Sequence, residues 1–215
     1  DYKKGVMQQL FSQQIRFKDD NGNDFPDWEE KKLGEVGRVI RGSSPRPKGD
    51  SRYYGGSVPR LMVQDVTRDG KWVTPCIDSL TEAGAKLSRP CPAGTLTIVC
   101  SGTVGVVSFL AVDACIHDGF LALVDVDEKA VIKDFLYQRL NTLQEKFEKG
   151  ATHGGVFTNL TTSEIKEFEF GCPSLEEQKK IADFLSAIDQ KIESVSQQIA
   201  KTQTFKKGLL QQMFV

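Results

Sequence analysis

The chain has 215 residues, a net charge of −1, 39% hydrophobic and 27% charged residues, the profile of a soluble globular protein with room for one domain and an appendage. No apolar run approaches the roughly 18 residues that a membrane helix needs. A near-zero charge argues against nucleic-acid binding unless the charges are unevenly spread. The start, Asp1-Tyr2-Lys3-Lys4-Gly5, has neither a signal-peptide apolar core nor a Met, so the chain is expected to begin inside a longer gene product. Five cysteines (Cys76, Cys91, Cys100, Cys115, Cys172) make an odd count without a C-x-x-C pair. That argues against a disulfide framework or zinc site, and a cytoplasmic, reducing compartment is the default expectation.

In chain order, the first element is half of a repeat. Tyr2–Phe11 (YKKGVMQQLF) matches Phe205–Phe214 (FKKGLLQQMF), with six of ten pairs identical and the other four exchanging one hydrophobe for another, at an offset of 203 residues. So long a period is no solenoid; it predicts one unit of a tandem duplication. Residues 1–17 are read as the end of a preceding helix. Residues 18–27, including Lys18-Asp19-Asp20-Asn21-Gly22-Asn23-Asp24, read as a linker. From Trp28 to residue 172 a globular domain is expected. Strand candidates are Glu35–Ile40, Arg60–Val66, Thr95–Val99, Val104–Phe109 and Phe120–Val124, with a helix over 131–147. The irregular mixture predicts an α+β fold with a mixed twisted sheet.

Residues 173–215 carry the clearest structural signal. Ser174 and Glu177 have capping-box spacing just after Pro173. Ile181, Leu185, Ile188, Ile192, Val195, Ile199 and Thr202 then recur at alternating steps of four and three. So narrow a seam predicts a long coiled-coil helix, roughly 60 Å at 1.5 Å per residue, reaching away to a partner helix. Ile181, Leu185, Ile188, Ile192, Val195 and Ile199 are therefore the candidate interface. Its partner would be the helix to which residues 2–11 belong, or the same helix of a second chain. A terminal helix packed flat on its own domain is the alternative, though that would normally show a wider apolar stripe.

The charges are indeed uneven. Residues 38–60 hold Arg38, Arg41, Arg46, Lys48, Arg52 and Arg60 against Asp50 alone, a net of +5, whereas residues 161–200 sum to −4. A DNA reader needs cations for phosphates and loop-borne polar groups for base edges. Arg41-Gly42-Ser43-Ser44-Pro45-Arg46-Pro47-Lys48 supplies both, making Arg41, Ser43, Ser44, Arg46, Lys48 and Arg52 the first candidates. Gln64 and Asp65, at the end of an expected strand, are candidates for base edges, with Arg68 close behind. Ser101-Gly102-Thr103 could turn backbone N–H groups toward phosphate, and His153 and Asn159 lie in a second polar loop. A solvated basic loop and plain strand turns remain the alternatives at each place.

Catalytic motifs are wanting. The sequence has no phosphate-binding or dinucleotide glycine motif, H-E-x-x-H or G-x-S-x-G. Pro26-Asp27 with Glu30-Lys31-Lys32 mimics pieces of a metal-dependent nuclease, but too tightly spaced for two strands to present them. His117-Asp118 after Cys115 suggests catalysis only superficially, because catalytic partners normally converge from distant segments.

Several segments also resemble a known family. Pro173-Ser174-Leu175-Glu176-Glu177-Gln178 is similar to the opening of the spacer helix in type I restriction-modification specificity subunits. Trp28-Glu29-Glu30-Lys31-Lys32-Leu33-Gly34-Glu35-Val36 is similar to the start of their target-recognition domains, and the repeated Lys-Lys-Gly element to the end of their spacer helices. Gly42-Ser43-Ser44-Pro45, Tyr54-Gly55-Gly56-Ser57-Val58-Pro59 and Ser101-Gly102-Thr103-Val104-Gly105 follow in order. The resemblance implies a non-catalytic reader of one half of a split double-stranded DNA target. It also implies a spacer helix that docks methyltransferase subunits, and through the complex a restriction subunit. S-adenosylmethionine, ATP and Mg would belong to those partners, with no cofactor in this chain. With a single recognition domain, a homodimer through the seam would restore two domains. A coiled-coil interaction protein without DNA binding is the rival reading.

Overall fold

A computed structural model describes residues 2–142, 144 and 160–213. Its centre is a five-stranded sheet in the order β2 (Arg38–Arg41), β10 (Phe120–Val124), β7 (Leu96–Val99), β8 (Val107–Leu110) and β4 (Trp72–Val73), antiparallel except for β4 beside β8. Side chains alternate across a strand, and both faces of this sheet are buried. Leu121 and Leu123 of β10, with Leu96 and Ile98 of β7, enter one apolar cluster; Phe120, Ala122 and Val99 enter another. Thr97 and Ser108, opposite each other in the buried middle, satisfy their hydroxyls mutually at 2.9 Å.

The second cluster lies against a four-stranded sheet, ordered β5 (Asp78–Leu80), β3 (Tyr54–Leu61), β9 (Ala114–Ile116) and β6 (Arg89–Cys91). β3 and β9 run parallel, so this sheet too is mixed. The short helices α2 (Leu33–Val36), α3 (Val63–Asp69) and α4 (Glu82–Leu87) punctuate the strands. The α+β expectation with a mixed sheet holds, but the strand expected over Arg60–Val66 stops at Leu61. Asp65 is the reason: its carboxylate accepts the Met62 N–H at 3.0 Å and starts α3. The helix expected over 131–147 is described as α5, Lys133–Thr142.

The first cluster is closed by α1 (Tyr2–Phe11), α5, α6 (Thr162–Lys166), the pair β1 (Glu29–Lys32) and β11 (Glu169–Cys172), and the base of α7 (Leu175–Met213). α1 runs antiparallel to α7: Lys3 pairs with Asp189 at 2.6 Å, and further along the chain Arg16 meets Glu177 at 2.7 Å. Met7, Leu10 and Phe11 share the buried cluster with Ile181, Ala182 and Leu185. Between α1 and β1, Asp19 accepts from the Asn21 and Asn23 N–H groups, and Lys180 holds the Lys18 carbonyl and Asp20. The polar stretch over 18–27 is thus a turn fastened to α7.

Glu177 and Gln178 form the junction. The wholly buried Glu177 carboxylate takes Arg16 and the Trp28 Nε1–H at 3.0 Å. The capping box expected of Ser174 and Glu177 is therefore only half formed. The Ser174 hydroxyl lies 3.4 Å from the Glu177 N–H, while the Glu side chain serves the tertiary clamp instead of reaching back. Gln178 donates to the Pro173 and Ala130 carbonyls and accepts the Ile132 N–H at 2.7 Å. Buried polar groups of this kind must be fully partnered, which explains both residue types at the mouth of the long helix.

Candidate nucleic-acid interface

At one end of the central sheet, β2 finishes at Arg41, β7 at Val99, and β10 begins at Phe120. Three connections meet there. The β2–β3 loop is fastened by backbone bonds from Gly42 N–H to the Phe120 carbonyl and from Ser43 N–H to the Ile116 carbonyl. Gly42 is required: a Cβ there would sit 2.0 Å from the His117 oxygen. The turn Ser101-Gly102-Thr103 follows Cys100, whose N–H donates to the Gly119 carbonyl at 2.8 Å, and Gly102 holds φ +83°. Leu160 N–H donates to the Cys100 carbonyl at the same end. His153 and Asn159 lie outside the described residues.

The candidate residues separate into exposed cations and residues already engaged within the domain. Arg46 and Lys48 are exposed and form no ion pair within 4.0 Å among the described residues. Arg41 is partly buried and donates through Nε to the Asp118 carbonyl. Arg52 is paired with Asp50 at 2.6 Å, and that pairing, with the Arg52 N–H, holds the Asp50 carboxyl down to about 2. The Ser43 hydroxyl donates to the Leu87 carbonyl; that of Ser44 donates to Asp118 and accepts from Arg60. These two serines fasten the loop.

Gln64 is exposed on the first turn of α3. The expectation that Asp65 faces a base is corrected: it is fully buried and bonded to the Met62 and Cys76 N–H groups and to Arg68. Arg68 in turn is engaged by Asp69 at 2.5 Å and by the Thr74 carbonyl. Its charge is locally compensated.

Under the β2–β3 loop is a cleft of about 270 Å³ bounded by Ser44, Arg46, Lys48, Arg60, His117 and Asp118. Arg60, itself buried, pairs with Asp78 and packs over the Tyr54 ring. Burial above all, and then the Arg60 charge, push the His117 pKa below its ordinary value, while Asp118 is lowered chiefly by the Ser44 hydroxyl. The His117 Nδ1 accepts the Gly119 N–H at 2.9 Å. Arg60, His117 and Asp118 were absent from the sequence candidates as DNA contacts. Their signal was the compact His-Asp-Gly turn between two apolar runs; it is too short a pattern to distinguish from an ordinary turn.

The coiled-coil expectation splits. Ile181 and Leu185 are 1% and 0% exposed in the domain's own core, and Ile188 packs partly against it. Those first two positions are thus corrected as interface to a second chain; within this chain α1 and α5 already share their cluster. Ile192, Val195 and Ile199 are 48%, 39% and 53% exposed, and every residue from 191 to 212 is exposed. The helix therefore does leave the body, beyond residue 190. No described helix is long and apolar enough to cross a membrane. Burial raises the thiol pKa values of Cys91 (to about 11), Cys100, Cys115 and Cys172, whereas Cys76 is exposed.

The profile of the type I restriction modification DNA specificity domain matches residues 26–203. The MjaIX specificity subunit of Methanocaldococcus jannaschii is 30% identical over 193 residues, 87% of this chain and 44% of that protein. The HindI specificity subunit of Haemophilus influenzae is 28% identical over 78% of this chain and 38% of its own length. The chain thus spans less than half the length of either relative. Among solved structures, the HsdS subunit from Thermoanaerobacter tengcongensis superposes with a TM-score of 0.67 at 23% identity, covering 91% of this chain and 45% of that one. A type I S subunit from M. genitalium reaches 0.62 at 17% identity over 97% and 52%. Both likenesses concern the fold.

Proposed function

Because the chain belongs to the type I restriction-modification DNA specificity family, we propose that it reads one half of a bipartite double-stranded DNA target and has no catalysis of its own. The observation that carries this reading is the pair of exposed cations Arg46 and Lys48, without an ion pair among the described residues, on a loop fastened to the same end of the sheet as the Ser101–Thr103 turn. Exposed cations not held in a close ion pair are the groups that gain most from contacting phosphates and releasing their counterions. Base readout would fall to exposed polar side chains such as Gln64 on the first turn of α3. Arg52 and Arg68, compensated by Asp50 and Asp69, are weaker contacts than their sequence context implies.

In this reading the exposed stretch of α7 docks methyltransferase subunits, which bring S-adenosylmethionine; the restriction subunit, with ATP and Mg, joins through the complex in the cytoplasm. A second recognition domain, whether on the same polypeptide or on a second copy, would lie along the exposed seam from Ile192 to Ile199. An interaction protein without DNA binding draws on that same seam and is the competing reading. Selection of duplexes from a random pool, by the protein alone and with its partner subunits, separates the two. An enriched motif establishes the reader; a folded assembly that enriches nothing establishes the rival. Changing Arg41, Arg46 and Lys48 to Ala should weaken binding and flatten its salt dependence by about 0.9 in log–log slope per lost phosphate contact.

A further inference from the structure

The geometry points to the cleft under the β2–β3 loop as a seat for a single oxyanion, a phosphodiester group of bound DNA held by Arg46, Lys48 and the ring of His117. This inference rests on the DNA-reading proposal and extends it to residues outside the motifs that carry the family resemblance.

Two stretches far apart in sequence build the seat: the β2–β3 loop with β3 as far as Arg60, and the turn His117-Asp118-Gly119. Its walls offer more donors than acceptors. Arg46 and Lys48 border it with no ion pair of their own among the described residues. The His117 Nδ1 already accepts the Gly119 N–H, so in the neutral ring the proton sits on Nε2 and that nitrogen can only donate. Gly119 lets the His117 ring lie against this turn, since a Cβ there would lie 2.5 Å from it.

Asp118, the one carboxylate among the described residues that line the cleft, is engaged by the Ser44 hydroxyl, and Ser44 accepts from Arg60 in turn. That chain ties the loop to the cleft floor before any ligand arrives. The Arg60 guanidinium is held by Asp78 and Ser44, while its buried Nε has no partner. Arg60, its charge met by Asp78, thus fixes the cleft floor and leaves the direct contacts to the exposed cations. The cleft, about 270 Å³, is large against the roughly 30 Å³ that one water occupies in the liquid, so a tetrahedral phosphate with attached water fits. A phosphate fixed here would set the register of the domain along the duplex, as backbone contacts do.

The test uses the full-length protein in its native complex, with two readouts. In the first, sodium phosphate and sodium chloride are titrated at matched ionic strength while the ¹⁵N signals of the His117 ring are followed, assigned by their loss in His117→Gln. In the second, each phosphate of a selected duplex is replaced in turn by an uncharged methylphosphonate. The expected result is a phosphate-specific shift of the His117 ring that disappears in Arg46→Ala/Lys48→Ala. One methylphosphonate position should weaken wild-type binding about tenfold, as loss of a charge-assisted contact would. The same replacement should leave the double variant nearly unaffected.

A phosphate shift without any coupled duplex position would assign the seat to free phosphate and overturn its DNA role. No shift and no coupled position, in a complex that still selects a sequence, would overturn the seat while the DNA-reading proposal stands. A shift in a complex that selects no sequence would sink that proposal and leave the oxyanion seat.

Discussion

The two halves of α7 carry one apolar rhythm and meet opposite fates. From Ile181 to Leu185 the seam is sealed in the domain core with α1 and α5; from Ile192 to Ile199 it is exposed to solvent. The proximal half is stabilised by ordinary core burial, on the order of 1.5–3 kcal/mol for each large aliphatic side chain. The distal half gains nothing comparable until another surface covers it. A heptad pattern therefore announces that a helix will be covered, and leaves open by what.

The largest expected effect lies at the junction. Glu177→Ala removes the carboxylate that holds Arg16 and Trp28, and breaking one side of a buried pair costs on the order of 3–5 kcal/mol. Chemical denaturation would read it, and an unchanged midpoint would mean that the clamp does not anchor the helix. Next, Leu185→Ala should cost about 3 kcal/mol through lost burial and a residual cavity.

Ile192→Ser, Val195→Ser and Ile199→Ser together should change domain stability by no more than about 0.5 kcal/mol per site. They should instead weaken whatever association the seam mediates, read by sedimentation. If they destabilise the domain as Leu185→Ala does, the contrast between the two halves is wrong.

The smallest effect concerns pH and the body alone. The His117 pKa is lowered in the folded chain, so as pH falls below about 6.5 the unfolded chain takes up the proton first. Stability is then lost progressively until the folded ring also protonates, and is recovered as pH rises again. His117→Gln should remove this component of the pH dependence, measured by denaturation midpoints at pH 7.5 and 5. The pH response of the exposed half of the helix should be unchanged by that substitution.

The basic loop repeats the contrast at smaller scale. Six cations between residues 38 and 60 look alike in sequence, yet Arg52 meets Asp50, Arg60 is buried on Asp78, and Arg38 meets Asp125 at 2.8 Å. Arg41 donates to the Asp118 carbonyl, and Arg46 and Lys48 have no ion pair among the described residues. Asp78 and Asp125 come from distant segments, so no count of local charge could single those two out. Asp65 misled for a related reason. At the end of an apolar run it reads as a strand-end polar residue, but Met62 N–H and Cys76 N–H draw it inward as a helix start.

The amino-acid sequence by itself determined what depends on local order: the duplicated Lys-Lys-Gly element, the long helix after Pro173, the strand Phe120–Val124 and the basic character of the β2–β3 loop. These are set by periodicity, turn chemistry and charge within a few residues. Only the tertiary structure decided where the seam is sealed, that Glu177 serves Arg16 and Trp28 in preference to its own helix end, and that His117 and Arg60 meet beneath the loop. Each of those outcomes joins residues from separate segments, and long-range contacts leave no periodic trace in the segments they join.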